Sequence, residues 1–209
     1  MFDSEFLQLA ILAGPAILFA LTVHEFFHAW TAFKLGDPTA RDLGRVTLNP
    51  IKHLDPFGTI MMFVSHFTFG WAKPVPFNPM NLKNPRRDDI LITAAGPLSN
   101  IGLAIIFGTI YRIAISGDFD IGNGLFQFLY LSVRINVGLA FFNMIPLFPL
   151  DGSHILRNLL PEKYDHQLEQ FEKIAPFILL IVIFTGFAWV ILSPFVTFFI
   201  NLFMGHQVI

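Results

Sequence analysis

The chain has 209 residues, of which 54% are hydrophobic and only 13% are charged, whereas a soluble domain carries about 25% charged residues. This composition excludes water as the main solvent, so one lipid-embedded domain, 1–209, is predicted. The net charge of −2 argues against nucleic-acid binding, and the lack of cysteine excludes disulfides, thiolate metal ligands and cysteine nucleophiles.

Four apolar stretches are long enough to cross a membrane as helices, a crossing that needs about 20 residues. They are 6–33, 90–111, 124–150 and 174–204. The last is longer than one crossing requires, so it is either one tilted, kinked helix or a helix followed by an interfacial segment. The predicted fold class is therefore an all-α polytopic membrane protein with about four transmembrane helices.

The connection between the first two spans, 36–89, has an unusual pattern of its own. Its apolar stretch 57–69 is too short to cross, and the residues that follow, 70–76, include two prolines that prevent a helix. This pattern predicts a re-entrant, partly extended segment, which survives at membrane depth only where it is buried in protein or lines a cavity.

Basic residues determine the predicted orientation, because cytoplasmic loops are enriched in Lys and Arg. They fall in the connections after the first and third spans: Lys34, Arg41, Arg45, Lys52, Lys73, Lys83, Arg86, Arg87, Arg157, Lys163 and Lys173. Both connections are therefore predicted to be cytoplasmic and both termini to lie outside. Under this topology the first and third spans deliver His24 and Asp151 to a similar depth near the cytoplasmic side.

The first span carries a metal-binding pattern, His24-Glu25-Phe26-Phe27-His28. Positions i and i+4 lie on one face of a helix, so both imidazoles can reach a single zinc ion. Glu25 lies beside that ion, where it can accept a proton from the attacking water. An ionisable group at mid-membrane costs about 2.5–3.5 kcal/mol on insertion scales. Three ionisable side chains within five residues are therefore hard to explain by packing alone.

A catalytic zinc site needs a third protein ligand, and Asp151 is the leading candidate. It follows Pro146 and Pro149 and precedes Gly152, which permits a sharp turn of the chain. His154 is the rival ligand. Two imidazoles and one carboxylate fit tetrahedral zinc best, although the pattern does not exclude another divalent metal.

These motifs resemble those of the site-2 protease family of intramembrane zinc metalloproteases. The resemblance rests on 23–28, on the Asn-x-x-Pro-x-x-x-Leu-Asp-Gly pattern of 143–152, on the Gly-x-x-x-Asn pattern of 96–100, and on 70–76. It implies one zinc per chain held by His24, His28 and Asp151, with Glu25 as the catalytic base. It also implies that Asn143 and Asn100 contact the substrate or the oxyanion, although a hydrogen bond between spans is an equal alternative for Asn100.

The predicted function is hydrolysis of peptide bonds within or near transmembrane segments of membrane proteins. One alternative is a catalytically silent zinc-binding protein that holds clients or carries metal, and another is a membrane metallopeptidase that cuts soluble or lipidated chain ends. The predicted partners are a transmembrane substrate and the lipid bilayer, and the predicted location is a prokaryotic inner membrane. Many family members carry a PDZ or CBS domain, and no such domain is expected within these 209 residues.

Overall fold

The computed structural model describes residues 4–65, 67, 70–117 and 121–205, with side chains described from Ala10 onward. The α-helices in these ranges are α1 (Ser4–Lys34), α2 (Thr39–Asp42), α3 (Pro56–Val64), α4 (Pro85–Ser116), α5 (Gly122–Asn143), α6 (Asp151–Leu159), α7 (Asp165–Phe184) and α8 (Phe187–Met204). Short 3₁₀ turns form at Pro50–Lys52, Pro79–Asn81 and Glu162–Tyr164. The described residues contain no β-sheet, which confirms the predicted all-α class, and one isolated antiparallel bridge joins Leu54 and Ala72.

Among the described residues, four helices are long and apolar enough to cross a membrane. They are Ala10–Lys34 within α1, and the whole of α4, α5 and α8. The predicted number of spans is thus confirmed by length and composition. Their lipid-facing sides carry exposed apolar side chains such as Ile106 and Phe198, as expected of surfaces that contact hydrocarbon.

The third predicted span, 124–150, extends seven residues beyond the carboxyl end of the helix in the structure. The helix α5 ends at Asn143, and 144–150 forms turns. Pro146 and Pro149 explain the difference, because each lacks a backbone N–H and disfavours a helical residue before it. The chain therefore leaves the helix before it reaches Asp151, which begins α6.

The fourth predicted span, 174–204, is two helices rather than one. The helix α7 ends at Phe184, and Gly186 has a φ of 73°, a left-handed conformation that favours glycine. The helix α8 then begins at Phe187 and continues through Pro194 to Met204. The crossing-competent part is α8, so the single kinked helix is wrong, while an interfacial position for part of this stretch stays a prediction.

The helix α4 packs against α1, α5, α6 and α8 and so connects the parts of the fold. A buried cluster joins it to α5 and α8: Ala104, Val133, Val137, Leu192, Val196, Ile200 and Met204. On α1 the buried residues Ala13, Ala16 and Ala20 recur at spacings of three and four, a stripe of small side chains that permits close helix approach. His24 and His28 continue this stripe, so both imidazoles face neighbouring helices.

Between α1 and α4, the helix α3 is followed by a non-helical stretch, 70–78, which pairs with Leu54 through an antiparallel bridge at Ala72 and is called the extended chain below. The Asp55 carboxylate caps α3 by accepting a hydrogen bond from the Gly58 N–H at 2.8 Å. A Cβ on Gly58 would collide with the Trp71 carbonyl, so only glycine allows the helix and the extended chain to approach this closely. The lack of a helix at 70–78 agrees with the two prolines, whereas the re-entrant path of the segment and its depth in the membrane stay predictions; residues 66, 68 and 69 of the apolar stretch lie outside the described residues.

Two buried ionic side chains fix the extended chain in place. The Arg45 guanidinium, only 4% exposed, donates to the carbonyls of Lys73 at 2.6 Å and Pro74 at 3.1 Å. The Asp37 carboxylate accepts from the Asn78 N–H at 2.7 Å. Burial alone would raise the pKa of Asp37, but its hydrogen bonds outweigh burial and lower that pKa, so Asp37 remains ionised.

Candidate metal centre

Three predicted ligands converge on one point. The Nε2 atoms of His24 and His28 lie 3.0 Å apart, one helical turn from each other on α1. The Asp151 Oδ2 lies 3.2 Å from the first and 3.5 Å from the second. Among the described residues, these three form the group of His and acidic side chains whose ligand atoms all lie within 4.8 Å of one another.

The outer nitrogen of each imidazole faces a hydrogen-bond acceptor. His28 Nδ1 lies 2.7 Å from the Ile92 carbonyl oxygen, and His24 Nδ1 lies 2.6 Å from the Asn100 Oδ1. A carbonyl oxygen can only accept, so both Nδ1 atoms carry the proton and both Nε2 atoms present lone pairs. Partners of this kind commonly set the tautomer of metal-binding histidines.

This donor set fits a divalent cation. Two imidazole lone pairs and a carboxylate oxygen point at one another, and Asp151 Oδ2 is buried without a hydrogen-bond donor. Such groups repel each other unless a cation lies between them. Two histidines and one carboxylate are also the ligand set of catalytic zinc sites that keep an open position.

Glu25 lies next to this cluster without joining it. Its side chain is 9% exposed, and its Oε2 is buried without a hydrogen-bond partner in the described structure. Glu25 and the three predicted ligands line a cavity of about 370 Å³. The extended chain contributes Trp71, Ala72, Pro74, Val75 and Phe77 to the wall, and α5 contributes Leu139, Phe142 and Asn143.

Comparison with known proteins places the chain in a family. The sequence profile described as "Peptidase family M50" matches residues 109–186. A Bacillus subtilis (strain 168) protein named "Putative zinc metalloprotease YwhC" is 39% identical over an alignment of 184 residues that covers 85% of this chain and 82% of the relative. The chain belongs to Peptidase family M50. The resemblance to site-2 proteases is thereby confirmed.

The alignments with two other relatives cover a smaller share of each relative. The Methanocaldococcus jannaschii protein named "Zinc metalloprotease MJ0392" is 36% identical over 84 residues, 40% of this chain and 23% of that protein. The Mycolicibacterium smegmatis protein named "Putative zinc metalloprotease Rip2" is 28% identical over 159 residues, 73% of this chain and 59% of that protein. No solved structure matches the chain.

The two asparagines predicted to contact the substrate lie in different surroundings in this M50 chain. Asn143 lines the cavity at the end of α5, and its amide donates to the Leu139 carbonyl at 3.0 Å. Asn100 is fully buried and bonds to His24 instead of lining the cavity. These contacts favour the alternative, a hydrogen bond between spans, for Asn100, while its contact with substrate stays a prediction.

His154, the rival ligand, lines the cavity but is not part of the three-ligand group. Its Nδ1 lies 3.7 Å from the Asp89 Oδ2, and this acidic partner raises the pKa of His154 even though burial opposes it. His53 is a buried loop residue whose Nε2 lies 2.8 Å from the Thr47 carbonyl.

Two of the sequence patterns contain a glycine at a position where a larger side chain would not fit, Gly96 and Gly152. A Cβ on Gly96 would collide with His28 Nε2 and lie 2.7 Å from His24 Cε1. A Cβ on Gly152 would collide with the Met144 carbonyl and lie 2.6 Å from the Ile145 carbonyl. The first glycine thus lets α4 touch the histidine pair, and the second lets Asp151 turn towards it.

We expect Gly96→Ala to displace the imidazoles and weaken metal binding, because the new methyl group overlaps the His28 ring. Metal content of the purified variant measures this. Gly102→Ala is the matched control, since a Cβ at Gly102 on the same helix meets no atom within 4 Å. Equal metal content in Gly96→Ala and wild type would show that the close approach of Gly96 to the imidazoles is not needed for metal binding.

Proposed function

We propose that the chain is an intramembrane zinc endopeptidase that hydrolyses peptide bonds within or near transmembrane segments of membrane proteins. The observation that carries the proposal is the location of His24, Glu25 and His28 inside a helix apolar enough to cross a membrane. A hydrolytic site in such a helix is directed at chains that are also in the membrane. The M50 relatives named zinc metalloproteases support the choice of metal and reaction.

In this proposal His24, His28 and Asp151 hold one zinc ion per chain. When bound, zinc polarises the scissile carbonyl and makes water a better nucleophile near neutral pH. Glu25 accepts the proton of the attacking water and delivers it to the leaving amine, a role for which its buried, unpartnered oxygen is suited. Asn143 lines the cavity, where its amide can donate to the oxygen that becomes negatively charged.

The substrate must become extended to react, because the carbonyls of an intact helix are bonded and shielded. The extended chain forms one wall of the cavity, and its Ala72 already makes an antiparallel bridge with Leu54. Within the described structure, the N–H and carbonyl of Val75 have no hydrogen-bond partner. A substrate strand could therefore pair with this edge by β-augmentation.

The distribution of basic residues supports the proposed topology, with both termini outside and the active site towards the cytoplasmic side of a prokaryotic inner membrane. Water would then reach the cavity from the polar connections.

The first alternative, a catalytically silent zinc protein, does not need a carboxylate in the position of Glu25. The retained Glu25, unpartnered and facing the cavity, therefore favours the enzyme.

The experiment is cleavage of a model transmembrane protein by the purified chain in lipid vesicles. We expect zinc-dependent cleavage inside or next to the hydrophobic segment of the substrate, and much slower cleavage of the same sequence in a soluble, helix-free peptide. In the same vesicles, a photo-crosslinker at position 75 should capture the substrate, and one at exposed Leu48, outside the cavity lining, should not. Zinc binding without cleavage of any of several transmembrane substrates would favour the silent protein instead.

A further inference from the structure

A chain of buried amides leads from α5 to the histidine pair. Asn136 Nδ2 donates to the Ser132 carbonyl at 2.8 Å, and Asn136 Oδ1 accepts from Asn100 Nδ2 at 2.9 Å. Asn100 Oδ1 in turn lies 2.6 Å from His24 Nδ1. The side chains of Asn100 and Asn136 are fully buried, so water cannot take the place of either amide.

Each hydrogen bond in this chain fixes the direction of the next. The Ser132 carbonyl can only accept, so the donor end of Asn136 faces it and the acceptor end faces Asn100. Asn100 must then turn its own donor towards Asn136 and its acceptor towards His24. The histidine can satisfy that acceptor only with a proton on Nδ1, which leaves Nε2 free.

We propose that Asn136 is a positioning residue that acts through Asn100 to hold His24 in the tautomer whose Nε2 can bind a metal. Asn136 belongs to none of the motifs that identify the family, and it touches neither the cavity nor a ligand. The inference rests on the proposed zinc site, since it concerns the affinity of that site.

Asn100 has one other orienting contact, with the Ala20 carbonyl at 3.2 Å. That bond is longer than the one to Asn136, so loss of Asn136 leaves the Asn100 amide held by its weaker contact. If the Asn100 amide rotates, its NH₂ group donates to His24 Nδ1. This favours the tautomer with the proton on Nε2, which cannot bind a metal through that nitrogen. A purely structural role for Asn136, joining α4 to α5, would instead change stability and leave the metal affinity alone.

The test is the zinc affinity of Asn136→Leu, measured by competition with a chelator on the detergent-solubilised full chain. We expect a 10–100-fold loss, the range typical of lost outer partners of metal ligands. Asn136→Asp should stay close to wild type, because a buried, protonated carboxyl can accept from Asn100 and donate to the Ser132 carbonyl. If Asn136→Leu does not fold, Asn136→Ala replaces it, since it cannot overfill the site.

Val137→Ala is the matched control, because Val137 is the adjacent, fully buried residue of α5 and its truncation removes only packing. We expect it to lower stability but not zinc affinity. Absorption of cobalt(II) in place of zinc provides a second readout: its spectrum should change in Asn136→Leu and not in Val137→Ala. Unchanged affinity and spectrum in Asn136→Leu, or an equal loss in Val137→Ala, would overturn the inference, whereas failure of wild type to bind zinc would overturn the proposed site itself.

Discussion

Replacing Glu25 with Gln is expected to slow cleavage by about 10²–10⁴-fold, the contribution usual for a general acid–base group, and to leave the zinc content unchanged. The amide has the shape of the carboxylate but cannot accept the proton of water. The three proposed ligand atoms belong to other residues, and Glu25 Oε2 has no hydrogen bond in the described structure that the change would break. Cleavage rate and zinc content should be measured on the same samples in vesicles.

The control for this change is Glu169→Gln, another loss of one carboxylate charge. Glu169 lies on α7, where its side chain is 56% exposed and forms an ion pair with Arg157. It does not line the cavity. It should cleave like wild type. Turnover retained by Glu25→Gln would remove Glu25 from the mechanism, and simultaneous loss of zinc would mean that Glu25 is a ligand and not the base.

Replacing Asp151 with Ala is expected to remove zinc and cleavage together. Two imidazoles would remain, and a site with two protein ligands holds zinc far more weakly than one with three. The loss in affinity should exceed the 10–100-fold typical of outer partners, because Asp151 Oδ2 is one of the converging atoms. Zinc content after dialysis against a weak chelator, with cleavage on the same samples, measures both effects.

Asp42→Ala serves as the control, since the Asp42 carboxylate is 59% exposed in a surface pair with Arg41. It should keep both zinc and cleavage. Full zinc occupancy with unchanged cleavage in Asp151→Ala would place the third ligand elsewhere, and His154, which also lines the cavity, would be replaced next. The two catalytic-site variants together separate roles: Glu25→Gln loses cleavage alone, and Asp151→Ala loses cleavage with zinc.

The limits of sequence-based prediction are clearest at helix ends. Pro15, Pro97, Pro176 and Pro194 all lie inside helices, whereas Pro146 and Pro149 follow the end of α5. Helices in lipid tolerate proline because neighbouring groups can satisfy the freed carbonyls, so a proline in an apolar run does not reveal whether the helix ends there. The break at Gly186 is equally ambiguous, since glycine is common within transmembrane helices.

The polar residues of α5 show a second limit. Asn136 lies inside a predominantly apolar span, and a buried amide in a membrane indicates a hydrogen bond to another helix. The signal does not name the partner. Only the packing of α4 against α5 shows that this partner is Asn100, and that Asn100 reaches His24.

The sequence by itself determined the lipid environment, the number of crossing helices and the pairing of His24 with His28, because composition and the 3.6-residue helical period are local properties. Only the tertiary structure decided that Asp151 Oδ2 lies 3.2 Å from His24, that Asn100 holds its ring, and that the extended chain at Val75 faces the same cavity. Residues 76 positions apart, such as His24 and Asn100, meet through helix packing, which no local pattern specifies.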